Sequence, residues 1–192
     1  MTVTEIELII NAQQGNIEAF ESLIYKYDKN VLSLVLKYVN NRDDAKDIYQ
    51  EVFLRVFKGL KRFQFKSEFS TWLFRITTNV CLTHSSKTRK KKFVSINEES
   101  DSDENSNEIL QLPDEENSTP DRLAEKSEIK KVVNEAMEKL SPKQKMIFTL
   151  KHYEGYKIRE IAEMMDIGEG TVKKTLFEAV HKMRSQLQNY YG

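Results

Sequence analysis

Between Phe57 and Arg75 the chain reads FKGLKRFQFKSEFSTWLFR. Together with the turn just upstream, seven aromatic rings (Phe53, Phe57, Phe63, Phe65, Phe69, Trp72 and Phe74) interleave with six cations (Arg55, Lys58, Lys61, Arg62, Lys66 and Arg75). Rings stack on unpaired bases and cations hold phosphates, so this combination suits a grip on single-stranded or melting nucleic acid. Part of the stripe must be core. Phe69, Trp72, Leu73, Ile76 and Val80 recur at the three-and-four spacing of a helix with one buried face. The run Arg62-Phe63-Gln64-Phe65-Lys66 has no such period and lies between two helical patterns. Phe65 in particular belongs to no helical face, and an exposed ring there suits base stacking.

A second chemistry-bearing stretch is IREIAEMMDIGEGTVKKTLFEAVHKM, Ile158 to Met183. Ile158, Ile161, Ala162 and Met165 outline a short helix, Asp166-Ile167-Gly168 a tight turn, and Val172, Leu176 and Ala179 the inner face of a longer helix. Small Ala162 permits close crossing. The pattern fits a helix-turn-helix whose second helix enters a major groove, with Thr171, Lys173, Lys174 and Lys182 on its outer face. An ordinary helical hairpin fits the same apolar spacing.

The elements that must carry these stretches are also helical. Ile6, Ile9 and Ile10 set a first helix over Thr4–Gln14, closed by Gly15. Asn16 caps a second pattern that continues from Ile17 through Val39 until Asn40-Asn41. Asp43-Asp44 open a third, with Ala45, Ile48, Val52 and Val56 inward and Asp47, Gln50, Glu51 and Leu54 outward. That outer face suits either a protein partner or solvent. Ser67 is expected to cap the next helix, which ends near Lys87 in the basic cluster Lys87, Arg89, Lys90, Lys91, Lys92. From Phe93 to Pro120 periodicity disappears into Glu, Asp, Ser and Asn, a composition expected to remain disordered, with one apolar patch at Ile109–Leu112. Helical pattern resumes at Pro120, and Ser141-Pro142 opens a further helix expected to stop at Gly155.

The formal net charge of zero is an average of unlike parts. Residues 1–92 hold 16 Lys+Arg against 10 Asp+Glu, residues 93–120 hold nine acids and no basic residue, and residues 121–192 hold 14 against 11. Two basic bodies joined by an acidic strap are therefore expected. No apolar run is long enough for a bilayer and no signal pattern opens the chain, so a cytoplasmic protein without membrane insertion is expected. Cys81 is the sole cysteine, which excludes an internal disulfide, and its helical neighbours mark it as a buried small hydrophobe. His84, His152 and His181 are scattered. Neither metal-ligand spacing nor a Gly-rich phosphate loop occurs, so no cofactor, metal or catalytic residue is expected.

Two motifs now coincide. Asp44-Ala45-x-Asp47-Ile48-x-Gln50-Glu51-x-Phe53 followed by Phe69-x-Thr71-Trp72-Leu73-x-Arg75-Ile76-x-x-Asn79 resembles region 2 of sigma factors. Leu140-Ser141-Pro142-x-Gln144, Glu160-Ile161-Ala162 and Gly170-Thr171-Val172-Lys173 resemble region 4. Over nearly its whole length the chain is similar to the extracytoplasmic-function (ECF) group of the sigma-70 family. The resemblance implies an all-α fold with two small helical domains, region 2 over 1–92 and region 4 over 121–192, joined by a disordered acidic linker over 93–120. It implies a sigma factor that directs promoter-specific initiation by core RNA polymerase and has no catalysis of its own. Asp47, Gln50, Glu51, Phe53 and Leu54 would dock on the β′ clamp helices. Lys61, Arg62, Gln64, Phe65, Lys66, Ser67, Trp72, Arg75 and Asn79 would capture and melt the −10 element. Arg159, Thr171, Lys173, Lys174, Phe177 and Lys182 would read the −35 element while the β flap holds the domain.

An anti-sigma partner is implied in the same way, and the strap would thread the polymerase cleft or serve as a solvated tether. Thr175, Glu178 and Val180 stand where the family often has arginines, which implies weaker −35 binding. Thr83-His84 replaces a frequent acidic position. The alternative is an autonomous helix-turn-helix regulator whose first domain senses a ligand or dimerises, which requires a concave pocket there.

Overall fold

The computed structural model describes residues 4–39, 41–95 and 120–191. Every regular element among the described residues is helical: α1 (Glu5–Gln13), α2 (Ile17–Tyr25), α3 (Asp28–Val39), α4 (Arg42–Leu60), α5 (Phe69–Ser95), α6 (Pro120–Glu138), α7 (Pro142–Phe148), a π-helical turn (Thr149–Tyr153), α8 (Ile158–Met165) and α9 (Glu169–Tyr191). The starts follow side-chain chemistry. Thr4 and Glu7 form a reciprocal capping box on α1, as Ser141 and Gln144 do on α7 with Pro142 at its first position. Asn16 caps α2, and the Asn41 carboxamide accepts from the backbone N–H of Asp43 and of Asp44 to start α4.

Four local features differ from the sequence expectation. The single helix expected from Ile17 to Val39 breaks at Lys26–Tyr27. There the Tyr27 hydroxyl donates to Glu5 at 2.7 Å and its ring packs on Phe69 at 5.5 Å, tying α1 to α5 and redirecting α3 onto α4 and α5. Ser67 does not cap α5. The Glu68 carbonyl accepts the first intrahelical bond, from Trp72 N–H at 3.2 Å, and Ser67 stays exposed in the loop. The helix opened by Pro142 widens into the π-helical turn before Gly155, which takes a left-handed φ of 75°. The basic cluster also continues the helix rather than ending it, since α5 runs to Ser95. The acidic strap and Ile109–Leu112 lie outside the described residues.

α1–α5 surround a core of Leu23, Val31, Leu34, Val35, Tyr38, Ile48, Val52, Val56, Leu60, Phe69 and Leu73. Gly59 faces the Trp72 indole so closely that a Cβ there would lie 3.2 Å from the ring, so the glycine sets the α4–α5 approach. α6, α7 and α8 pack on α9, with Ala136, Met137, Leu140, Ala179 and Met183 forming a small cluster of their own.

The two helical units share a seam. Phe74, Thr78 and Cys81 are buried on a second face of α5, beside the stripe identified from sequence. The core continues from them into Met146, Ile147, Leu150, Ile161, Ala162, Met164 and Val172. Burying one such aliphatic side chain contributes about 1.5–3 kcal/mol, so this face is a substantial part of the packing.

Candidate nucleic-acid interface

The loop between α4 and α5 is held at its base and open at its tip. Arg62 N–H donates to the Gly59 carbonyl at 2.9 Å and Phe63 N–H to the Leu60 carbonyl at 3.0 Å. Gln13 of α1 reaches across and donates its carboxamide to the carbonyls of Leu60 (3.0 Å) and Phe63 (2.8 Å). Phe63 is buried among Phe65, Phe69 and Trp72, with ring centroids 5.1, 5.9 and 5.1 Å away. Phe65 is 45% exposed and its backbone is left-handed, φ 57°. Left-handed geometry in a bulky residue costs roughly 1–2 kcal/mol, and it turns the ring outward against the buried Phe63. Lys61, Arg62, Gln64, Lys66 and Ser67 surround it, all exposed. Trp72 is half-buried under the loop, and Arg75 and Asn79 emerge from successive turns of α5. Arg75 is already engaged. It donates to the Glu163 carbonyl (3.3 and 3.1 Å) and to Asp166 Oδ1 (3.0 Å).

The second surface is built by α8, its turn and α9. Asp166 adopts the left-handed C-cap, φ 54°, and Ile167 N–H returns to the Ala162 carbonyl at 3.0 Å, ending α8 cleanly. Ile161, Ala162, Val172 and Ala179 are buried, fixing which side of α9 faces out. On that outer side Thr171, Lys173 and Lys174 are exposed, and Phe177 is 73% exposed. Arg159 is exposed and pairs with Glu163 at 3.1 Å. Lys182 turns toward α7, donating to the Gln144 carboxamide oxygen at 3.2 Å, while the Gln144 amide donates to Glu178 at 3.2 Å.

On α4, Asp47, Gln50 and Leu54 form an open stripe, with Leu54 52% exposed. Glu51 pairs with Arg55 at 2.7 Å, and Phe53 is half-buried edge-on to Tyr49. Phe57, one turn beyond Leu54, is 57% exposed and edge-on to Phe20. Its place on the same stripe was visible in the spacing 47, 50, 54, 57, though its membership of the aromatic run drew it to the other site. Gln13 carried no signal, because its partners are backbone carbonyls far along the chain.

Among the described residues no group of His, Cys, Asp and Glu could hold a metal ion, and no helix is long and apolar enough to cross a membrane. Cys81 is fully buried and burial pushes its thiol up to about 12. A cavity of about 550 Å³ lies between α6, the π-helical turn and α9, lined by Val133, Phe148, His152, Val180, Met183 and Leu187; it is in the C-terminal unit.

Residues 23–91 match the model of sigma-70 region 2 and residues 130–183 that of sigma-70 region 4, well over half of the chain between them. The chain belongs to the sigma-70 family. Its relatives include sigma factors of the ECF group. It is 28% identical to the ECF RNA polymerase sigma-E factor of Haemophilus influenzae, with 97% of this chain and 96% of the relative covered. It is 27% identical to the RNA polymerase sigma-H factor of Pseudomonas aeruginosa (95% and 93%) and 29% identical to the ECF RNA polymerase sigma-E factor of Escherichia coli K12 (97% and 95%). Its fold is that of CnrH, solved in complex with the cytosolic domain of CnrY, at a TM-score of 0.62 and 17% identity (96% of this chain, 97% of that one). It is equally that of the sigma factor RpoE, solved with the anti-sigma factor NepR from Bartonella quintana, at 0.63 and 18% (88% and 96%). In this sigma-70-family chain the matched segments contain the loop of Phe65 and the helix-turn-helix, respectively.

Proposed function

We propose that this protein is an ECF-type sigma factor that joins core RNA polymerase in the cytoplasm and directs it to promoters, contributing recognition and strand separation without catalysis of its own. Residues 1–92 act as region 2, 93–120 as a tether and 121–192 as region 4. The observation that carries this is the pairing, in one chain of the sigma-70 family, of an exposed ring in a cation-rich loop with an exposed-lysine helix-turn-helix.

The stripe of Asp47, Gln50, Glu51, Phe53 and Leu54 docks on the β′ clamp helices, and Phe57 extends it. The loop takes a −10 base out of the stack. Extrusion costs a few kcal/mol, which stacking on Phe65 offsets. Lys61, Arg62 and Lys66 hold the flanking phosphates, Gln64 and Ser67 offer hydrogen bonds to the extruded base, and Trp72, Arg75 and Asn79 continue the contact along α5. Arg159, Thr171, Lys173, Lys174 and Phe177 meet the −35 element, while Lys182 braces α9 against α7. The β flap holds this unit. An anti-sigma protein is the matching inhibitor, since the sigma factor RpoE, a solved protein of this fold, was captured with the anti-sigma factor NepR.

An autonomous regulator would bind its operator without polymerase. Co-purification with core polymerase separates the two: a stoichiometric complex is expected. Specific duplex binding by the free chain with no polymerase complex would overturn the proposal.

A further inference from the structure

We propose that Gln13, the last residue of α1, is the positioning residue of the loop assigned to the −10 element: its carboxamide staples the turn that enters the loop and so holds Phe65 outward. The proposal rests on the sigma-factor function for its consequence in promoter opening, while the staple itself is a property of the free chain.

α4 ends at Leu60, and the last carbonyls of a helix have no intrahelical donor. The chain folds back at once. Phe63 N–H donates to the Leu60 carbonyl at 3.0 Å, so Leu60-Lys61-Arg62-Phe63 forms a four-residue turn with both cations at its centre. Gln13 meets the two ends of that turn. Its Nε2 donates to the Leu60 carbonyl at 3.0 Å and to the Phe63 carbonyl at 2.8 Å, which uses both protons of one amide group. Only the amide end of the side chain can face two carbonyls, so its orientation is fixed by its partners. Each carbonyl lies in the plane of the peptide that follows it. Holding the Phe63 carbonyl therefore holds the peptide that leads into Gln64 and the left-handed Phe65.

The tip has little else to define it. Among the described residues no main-chain N–H from Gln64 to Glu68 finds a protein acceptor, and all five residues are exposed. A bulky residue keeps a left-handed backbone only where its surroundings over-determine it. For Phe65 those surroundings are the Phe63 ring, 5.1 Å away between centroids, and the stapled turn behind it.

The staple is itself anchored. Ile9, one helical turn before Gln13 and on the same side of α1, is buried in the core. At the start of α1 the Glu5 carboxylate accepts from Lys26 at 2.6 Å and from the Tyr27 hydroxyl at 2.7 Å, next to the Thr4–Glu7 capping box. The carboxamide is the decisive chemistry: glutamate has the same shape but sets oxygens against oxygens, and methionine fills similar space without a donor.

Trp72, the only tryptophan, lies half-buried with its ring 5.1 Å from Phe63 and reports the staple in the free chain. In full-length Gln13→Met and Gln13→Glu, acrylamide quenching of Trp72 should rise by about twofold as the loop loosens locally, with helical content unchanged. With core polymerase, the dependence of opening rate on polymerase concentration separates initial promoter binding from strand opening. Gln13→Met should bind core polymerase and the closed promoter as wild type does, yet open it about fivefold more slowly, the factor that one net hydrogen bond supplies. Because Gln13 acts through Phe65, adding Gln13→Met to Phe65→Ala should slow opening by only about twofold or less beyond Phe65→Ala alone, whereas a general weakening of the fold would multiply the two losses. Unchanged Trp72 quenching in both variants, wild-type opening by Gln13→Met, or its full loss repeated on top of Phe65→Ala would each overturn the positioning role. A wild-type chain that opens no promoter with core polymerase would instead count against the proposed function, leaving Trp72 quenching in the free chain to decide the staple.

Discussion

Phe65 concentrates the local argument for strand separation. Its ring is nearly half exposed and its backbone is held left-handed, so it contributes little to the core while costing conformational energy. Phe65→Ala should leave the thermal midpoint and core-polymerase binding nearly unchanged yet slow promoter melting about tenfold, the effect of losing roughly 1.4 kcal/mol of base stacking. Phe65→Gly should share that defect while gaining about 1 kcal/mol of stability, because glycine adopts positive φ without strain. Trp72→Ala, which empties space beside Gly59, Phe63 and Phe69, should destabilise the fold by about 3 kcal/mol. Permanganate reactivity of promoter thymines, with pre-melted bubble DNA as control, checks the melting; normal melting by Phe65→Ala would assign the ring to the core. The exposure of Phe65 was legible because it broke the helical period. Its left-handed backbone was not, and neither was the Gln13 clamp, whose acceptors are the carbonyls of Leu60 and Phe63 far along the chain. Ser67 misled by residue type: a good capping side chain lay one position before the carbonyl that starts α5.

Elements carry docking and duplex recognition. On α4 the outward stripe is separable from the buried one, so Leu54→Ala and Glu51→Lys should weaken core-polymerase binding while circular dichroism stays unchanged. Phe57→Ser should add to the loss; wild-type binding by all three would mean the stripe is only solvated surface. On α9, Lys174→Ala should cost about 1–3 kcal/mol of promoter affinity on a matched −35 sequence if Lys174 reads a base, and less, equally on a scrambled one, if it holds phosphate. No loss on either sequence would remove it from the interface. The helices themselves were readable from apolar spacing and caps, as Asn16 before α2 and Ser141-Pro142 at α7 illustrate, though Thr4, read as the first helical residue, is the cap of α1. The break at Tyr27 was hidden because apolar residues continue the period on both sides, and tertiary bonds to Glu5 and Phe69 decide the turn. The π-helical turn had no sequence mark at all.

At the scale of the molecule, charge partition raised the expectation of two basic bodies and an acidic strap, and gave no hint of the packing between α5 and the C-terminal helices. The seam was written in Phe74, Thr78 and Cys81, a stripe of mixed polarity that a search for one apolar face passes over. Its partners come from beyond the strap, so no local pattern could pair them. The promoter function requires both units to act on one DNA with polymerase. Run-off transcription with purified core polymerase on a library of promoter fragments tests it most directly. Adding the chain should produce discrete start sites preceded by shared −10 and −35 sequences, absent with core polymerase alone and lost on changing either element. Starts that are unchanged by the chain, or indifferent to both elements, would contradict it.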